Sequence, residues 1–96
     1  MNQTEQSLNR FLHAIGDPTR RKILSALRER GRSTAGGLCA TDIEQCIHVS
    51  QPTVSHHMAI LKNAGLIVAR KEGLWRWYQR NDSIIAELTK LLKETL

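Results

Sequence analysis

The sequence predicts a mainly α-helical chain carrying one small β-hairpin, and three observations predict it. Apolar residues recur at helical spacing through five separate stretches. Two runs rich in β-branched and aromatic residues, Leu66-Ile67-Val68-Ala69-Arg70 and Trp75-Arg76-Trp77-Tyr78-Gln79-Arg80, flank a connection that contains Gly73. The stretch from Ser50 to Gly65 is punctuated at both ends like a helix. Ser50 suits a cap, Pro52 sits in a first turn where a missing N–H costs nothing, and Gly65 suits a left-handed residue past the end.

Taken in order, Leu8, Phe11, Leu12 and Ile15 give a first helix an apolar face. Gly16 ends that helix, Asp17 caps the next and Pro18 occupies its first position, with Ile23, Leu24 and Leu27 as its core face. Residues 31–37, rich in Gly, Ser and Thr, read as a flexible and slightly basic loop. Thr41-Asp42-Ile43-Glu44 reads as a capping box opening a third helix, whose apolar face carries Ile43, Cys46 and Ile47. In the fourth helix Val49 and Val54 clasp as a hydrophobic staple, and Val54, Met58 and Leu61 form the buried stripe with Ile60 at its flank. The hairpin follows, with a four-residue connection from Lys71 to Leu74. Asp82 then caps a last helix whose apolar residues are Ile84, Ile85, Leu88, Leu91 and Leu92.

Two helices joined by the short turn Ile47-His48-Val49 and followed at once by a basic hairpin have the order of a winged helix-turn-helix. In that geometry the second helix of the pair enters the major groove of DNA. The outward residues of that helix fit the role. Gln51, Thr53, Ser55 and His56 are polar and uncharged, where an ordinary solvated helix carries Glu and Lys. Gln pairs bidentately with adenine, Ser and Thr hydroxyls serve bases or phosphates, and a neutral His donates or accepts. Ser50 stands at the start of the same face. Positive charge comes from Lys62 and, on the hairpin, from Arg70, Lys71, Arg76 and Arg80, although strand alternation forbids all of these from facing one way. Trp75, Trp77 and Tyr78 are expected to pack the core as good strand formers, with base stacking as the alternative.

Composition agrees with one domain over residues 1–96. A chain with 14 Lys and Arg against 9 Asp and Glu carries a net charge of +5 and a pI near 9.8, which favours nucleic acid as partner. There is no apolar run long enough for a membrane span and no signal-peptide core near Met1, so a cytoplasmic protein is expected. Two cysteines without a secretory signal read as free thiols. No nucleophile, base and orienting group are arranged for catalysis, so an enzyme is not expected. The two terminal helices carry more apolar surface than a chain of this size covers alone. A two-fold homodimer is expected to use Leu8, Phe11, Leu12, Ile15, Ile84, Leu88, Leu91 and Leu92.

Three motifs together, Asp17-Pro18-Thr19-Arg20-Arg21-Lys22-Ile23-Leu24, Ser50-Gln51-Pro52-Thr53-Val54-Ser55-His56-His57-Met58 and Gly65-Leu66-Ile67 to Lys71-Glu72-Gly73, resemble the ArsR/SmtB family of bacterial winged-helix repressors. The resemblance runs from about Phe11 to Asn81. It implies a homodimer that occupies double-stranded operator DNA and blocks transcription until a signal releases it. It also implies that Gln51, Thr53, Ser55 and His56 face the groove, while His57 packs beside the helical core.

The signal is less well marked. Leu38-Cys39-Ala40-Thr41-Asp42-Ile43 resembles the segment where arsenic- and metal-responsive members carry Leu-Cys-x-Cys-Asp-Leu, with Thr41 in place of the second thiol. One matched cysteine is no site for a thiophilic ion, and Cys46 reads as a small hydrophobe beside Ile43 and Ile47. The family's zinc site on the last helix needs histidines, and none follows His57. No cofactor is therefore assigned. Cys39 and Cys46 leave open a metalloid or metal-ion site, completed by the 33–37 loop or a partner chain, or a thiol-redox switch. A winged helix used as a protein-interaction module is a further alternative.

Overall fold

The computed structural model describes residues 3–30 and 36–96. The order is α1 (Gln3–Ile15), α2 (Pro18–Glu29), β1 (Leu38–Cys39), α3 (Ala40–Ile47), α4 (Gln51–Asn63), β2 (Ile67–Glu72), β3 (Trp75–Arg80) and α5 (Asp82–Thr95). The strands make one antiparallel sheet ordered β1-β3-β2. This is the mainly α winged helix-turn-helix that the residue pattern predicts, with β1 as an addition to the hairpin.

Local chemistry sets the helix ends. Asp17 caps α2, its carboxylate accepting the Arg20 N–H at 3.1 Å, and Pro18 opens the first turn. Gly65, at φ +80°, terminates α4, with the Gly65 N–H on the Lys62 carbonyl at 2.9 Å and the Leu66 N–H on the Leu61 carbonyl at 3.0 Å. That pair of bonds is a Schellman motif, and it turns the chain into β2.

Three expected caps are corrected. The α3 helix begins at Ala40, not after Thr41, because Cys39 is the cap residue and Asp42 reaches back from the third helical position to accept the Cys39 N–H at 3.1 Å. The α5 helix is capped by Asn81, whose side chain accepts the Ile84 N–H at 3.3 Å, so Asp82 is its first residue and pairs with Arg80. Ser50 does cap α4 by position, but its hydroxyl lies 2.9 Å from the Thr53 hydroxyl, not on a backbone N–H.

The wing also differs from the reading. Strands β2 and β3 pair as far as Glu72↔Trp75, leaving a two-residue turn of Gly73 and Leu74 with Gly73 at φ +62°. The third strand pairs Leu38↔Tyr78 and Cys39↔Trp77. Two residues are too few to show alternation, but Gly37 marks the spot: it is buried at φ +90°, and a Cβ there would strike the Tyr78 carbonyl. Of the expected 31–37 loop, residues 31–35 lie outside the described residues.

One core joins the elements. Ile23, Ile43, Val54, Leu61, Leu66 and Ile67 are fully buried, each contributing roughly 1.5–3 kcal/mol of apolar burial. Leu8 and Phe11 of α1 and Leu88 of α5 belong to the same core within a single chain. Ile15, Ile84, Leu91 and Leu92 are partly buried against it, while Leu12 is 40% exposed. The apolar surplus of the terminal helices is therefore partly consumed inside the chain. Among the described residues no helix is long and apolar enough to cross a membrane.

Candidate nucleic-acid interface

Burying Val54, Met58 and Leu61 fixes the rotation of α4. Gln51, Thr53, Ser55, His56 and Lys62 are then exposed, as is Ser50 just before the helix. Of these residues, His56 points furthest from the core at 100° per residue. Gln51, Ser55 and Lys62 line the flank toward the wing, and Thr53 lies on the other flank. The turn into this helix is tight. His48 ends α3 in the left-handed region at φ 57°, a conformation that His tolerates better than β-branched residues, and its N–H bonds the Glu44 carbonyl at 2.8 Å.

Sheet register sorts the wing. Ile67↔Arg80, Ala69↔Tyr78 and Lys71↔Arg76 are opposed pairs, and alternation puts all six residues on the face toward the helices. Arg80 is taken up by the fold, its guanidinium bonding the Leu24 carbonyl at 3.2 Å and the Asp82 carboxylate at 2.8 Å. Lys71 and Arg76 are exposed and have no ion pair or hydrogen-bonded side-chain partner among the described residues. Like charges placed directly opposite destabilise a strand pair, so this pairing favours an anion between or above them. Arg70 falls on the other face and pairs with Glu72 at 3.2 Å. That far face also carries Trp75, which is 59% exposed, and Trp77. Among the described residues only Tyr78 of the three wing aromatics packs against the core, which corrects the expectation for Trp75 and Trp77.

Behind α4 stands a buried polar lock. Arg20, only 6% exposed, donates to the Ala14 carbonyl at 2.7 Å, to the His13 carbonyl at 2.9 Å and to Nδ1 of His57 at 3.1 Å. His57 therefore packs as the resemblance implies. Burial lowers its pKa below the ordinary value, against the opposing pull of Asp17. Asp17 is itself held below the usual carboxylate value, first by the backbone N–H of Arg20. Sequence periodicity did contain the signal for Arg20, since positions 20, 23, 24 and 27 share one helix face.

The thiols do not converge. Cys39 is buried at the α3 cap, its Sγ 3.2 Å from the Asp42 carboxylate, while Cys46 is half-buried and receives the Arg30 guanidinium at 2.7 Å. With Cys39 now the cap, seven residues of helical rise, about 10.5 Å, separate the two, beyond the roughly 7 Å that a disulfide spans. An intrachain redox bridge is thereby corrected. Among the described residues no three His, Cys, Asp or Glu side chains are grouped to hold a metal ion.

A helix-turn-helix pair whose second helix presents a largely uncharged polar face, followed by a cationic wing, is the architecture of a winged helix-turn-helix DNA-binding regulator. The family model described as bacterial regulatory protein, arsR family, matches residues 17–68, and the chain belongs to that family. An uncharacterized HTH-type transcriptional regulator of Methanocaldococcus jannaschii is 44% identical over 81 residues, covering 84% of this chain and 85% of its own. The arsenical resistance operon repressor of Staphylococcus aureus is 36% identical over 87 residues, with 91% and 78% covered. In fold the chain is similar to an ArsR-like transcriptional regulator from Rhodococcus sp. RHA1, with a TM-score of 0.81 at 23% identity, covering 98% of this chain and 83% of that one.

Proposed function

We propose that this regulator is a repressor that occupies operator DNA as a homodimer, with Gln51, Thr53 and His56 reading base edges and Lys62, Lys71 and Arg76 neutralising phosphates. The observation that carries the reading is the uncompensated Lys71↔Arg76 pair on the wing, beside a helix whose single charged residue is Lys62 in its last turn. Charge without side-chain partners suits phosphates, and neutral polar groups suit base edges. Arg70, on the opposite face and paired with Glu72, is left out of the contact set. The protein acts by binding and not by catalysis, and it works in the compartment that holds the DNA.

The S. aureus relative is named for arsenical resistance. The present chain has Thr41 where a second thiol is needed and holds its two cysteines apart, so release by an arsenical is not part of this reading.

Binding measured on operator and scrambled duplexes tests the proposal. Gln51→Ala and His56→Ala should each weaken operator binding by roughly 1–3 kcal/mol while leaving scrambled duplex nearly unaffected. Equal losses on both duplexes would remove the base-reading role. Steep salt dependence of duplex binding would favour DNA, while salt-insensitive pulldown of a protein partner would favour the protein-interaction module.

A further inference from the structure

Between α4 and β3 lies an open cleft of about 240 Å3, lined by Ser55, Met58, Ala59 and Lys62 of the helix and by Arg76 and Tyr78 of the strand. Helical spacing of four and seven residues puts Ser55, Ala59 and Lys62 in one row. Strand spacing of two puts Arg76 and Tyr78 on one face. Neither the two cations nor the two hydroxyls have a side-chain partner among the described residues. Arg20, Arg28, Arg70 and Arg80, by contrast, are each engaged elsewhere. Met58 and Ala59 are the apolar part of the lining, and a group entering the cleft meets the two cations and two hydroxyls beside them. Lys71, opposite Arg76, adds a third positive charge nearby.

We propose that this cleft seats one phosphate of the DNA backbone in each half-site, with Lys62 and Arg76 supplying charge and the Ser55 and Tyr78 hydroxyls donating hydrogen bonds. The inference rests on the duplex-binding reading above. A helix in the major groove and a wing beside it are separated by one strand of backbone, and the cleft lies on that line. A phosphodiester is anionic, tetrahedral and rich in acceptors, which matches two cations and two hydroxyls. Of the groove-facing residues, Ser55 accordingly serves backbone positioning. Tyr78 becomes a positioning residue for DNA in addition to its packing role. Gripping the backbone there fixes how deeply Gln51 and His56 enter the groove.

Phosphate-by-phosphate ethylation interference on an operator duplex tests the seat, using the full chain and the variants Arg76→Gln and Tyr78→Phe. Both variants are expected to fold, since Arg76 is exposed and Phe keeps the packed ring. In the wild type, ethylating one phosphate beside each major-groove site should abolish binding. In either variant, that position should lose most of its effect while other phosphates keep theirs. Affinity should fall roughly fivefold or more on operator and scrambled duplex alike. For Arg76→Gln the salt slope should be shallower by about 1. An unchanged interference pattern in both variants, with the wild type still bound to operator, overturns the seat alone. A wild type that binds no duplex at low salt overturns the function proposed above as well.

Discussion

The guanidinium of Arg20 on α2 meets Nδ1 of His57 on α4 at 3.1 Å, and this contact fixes the position of a proton. Arg is always a donor, so Nδ1 must accept and His57 must carry its hydrogen on Nε2. A second proton would set N–H against N–H beside a positive charge. Asp17, 4.0 Å from the same nitrogen, offsets this only in part, and His56 adds a ring at 5.3 Å between centroids.

The first prediction is an acid-sensitive fold. Burial lowers the His57 pKa below 6.5, so the unfolded chain binds the proton first as pH falls. Stability is therefore full above that value and declines as pH drops through the window down to the folded value. Urea midpoints should decrease as the pH is lowered from neutrality through 6.5 and below. His57→Gln, which keeps an acceptor, should flatten this dependence, and equal slopes in both proteins would contradict the assignment. Arg20→Lys should cost roughly 2–3 kcal/mol at neutral pH, because an ammonium cannot serve two carbonyls and the ring with one planar fork.

Gly37 and Gly73 both sit at positive φ, but their surroundings differ. A Cβ on Gly37 would strike the Tyr78 backbone, whereas nothing lies within 4 Å of one on Gly73. Gly37→Ala should therefore cost roughly 2–4 kcal/mol and detach β1, while Gly73→Ala should cost about 1 kcal/mol of backbone strain. Thermal melts and amide exchange at Leu38 and Tyr78 would read the difference. Equal costs would mean that β1 is not required to hold the wing.

These contrasts bear on what the residues made legible. The start and stop of α4 could be read because Ser50, Pro52 and Gly65 each act within one turn of the chain. The start of α3 could not, because Cys39 is no usual cap and the carboxylate that completes the cap belongs to Asp42, inside the helix. Likewise Asn81 and Asp82 are both good caps, and local chemistry does not choose between neighbours. On the wing, alternation warned that the cations could not share one face. Only the register, Lys71↔Arg76 against Arg70↔Trp77, decided which of them stand together.

A thiol prediction follows from the surroundings of Cys39. Its Sγ is buried against the Asp42 carboxylate, which is neither the accessible nor the electropositive setting of a reactive thiol. Cys39→Ser places a preferred cap residue there and should leave the fold and operator affinity intact, with stability raised by up to about 1 kcal/mol. Wild type and variant should respond identically to arsenite or cadmium in an operator-release assay. Release of the wild type alone would restore Cys39 as a sensor.

Dimerisation gives the last prediction, and the burial pattern decides which residue tests it. Leu88 is only 7% exposed within a single chain, so Leu88→Glu would bury a charge in the core and unfold the protein whether or not a dimer forms. Leu12 is 40% exposed on α1, on a helix that packs with α5, so a glutamate there reaches water without opening the core. Leu12→Glu should keep the melting temperature of an isolated chain yet sediment as a monomer at micromolar concentration. Losing one of two linked contacts should lower operator affinity by at least tenfold while binding to a single half-site is retained. A wild-type dimer would set its two α4 helices about 34 Å apart, one turn of duplex, so adding five base pairs between half-sites should weaken the wild type and leave Leu12→Glu indifferent. Sedimentation of the wild type as a monomer, or equal sensitivity of both proteins to the spacing, would overturn the two-fold assembly.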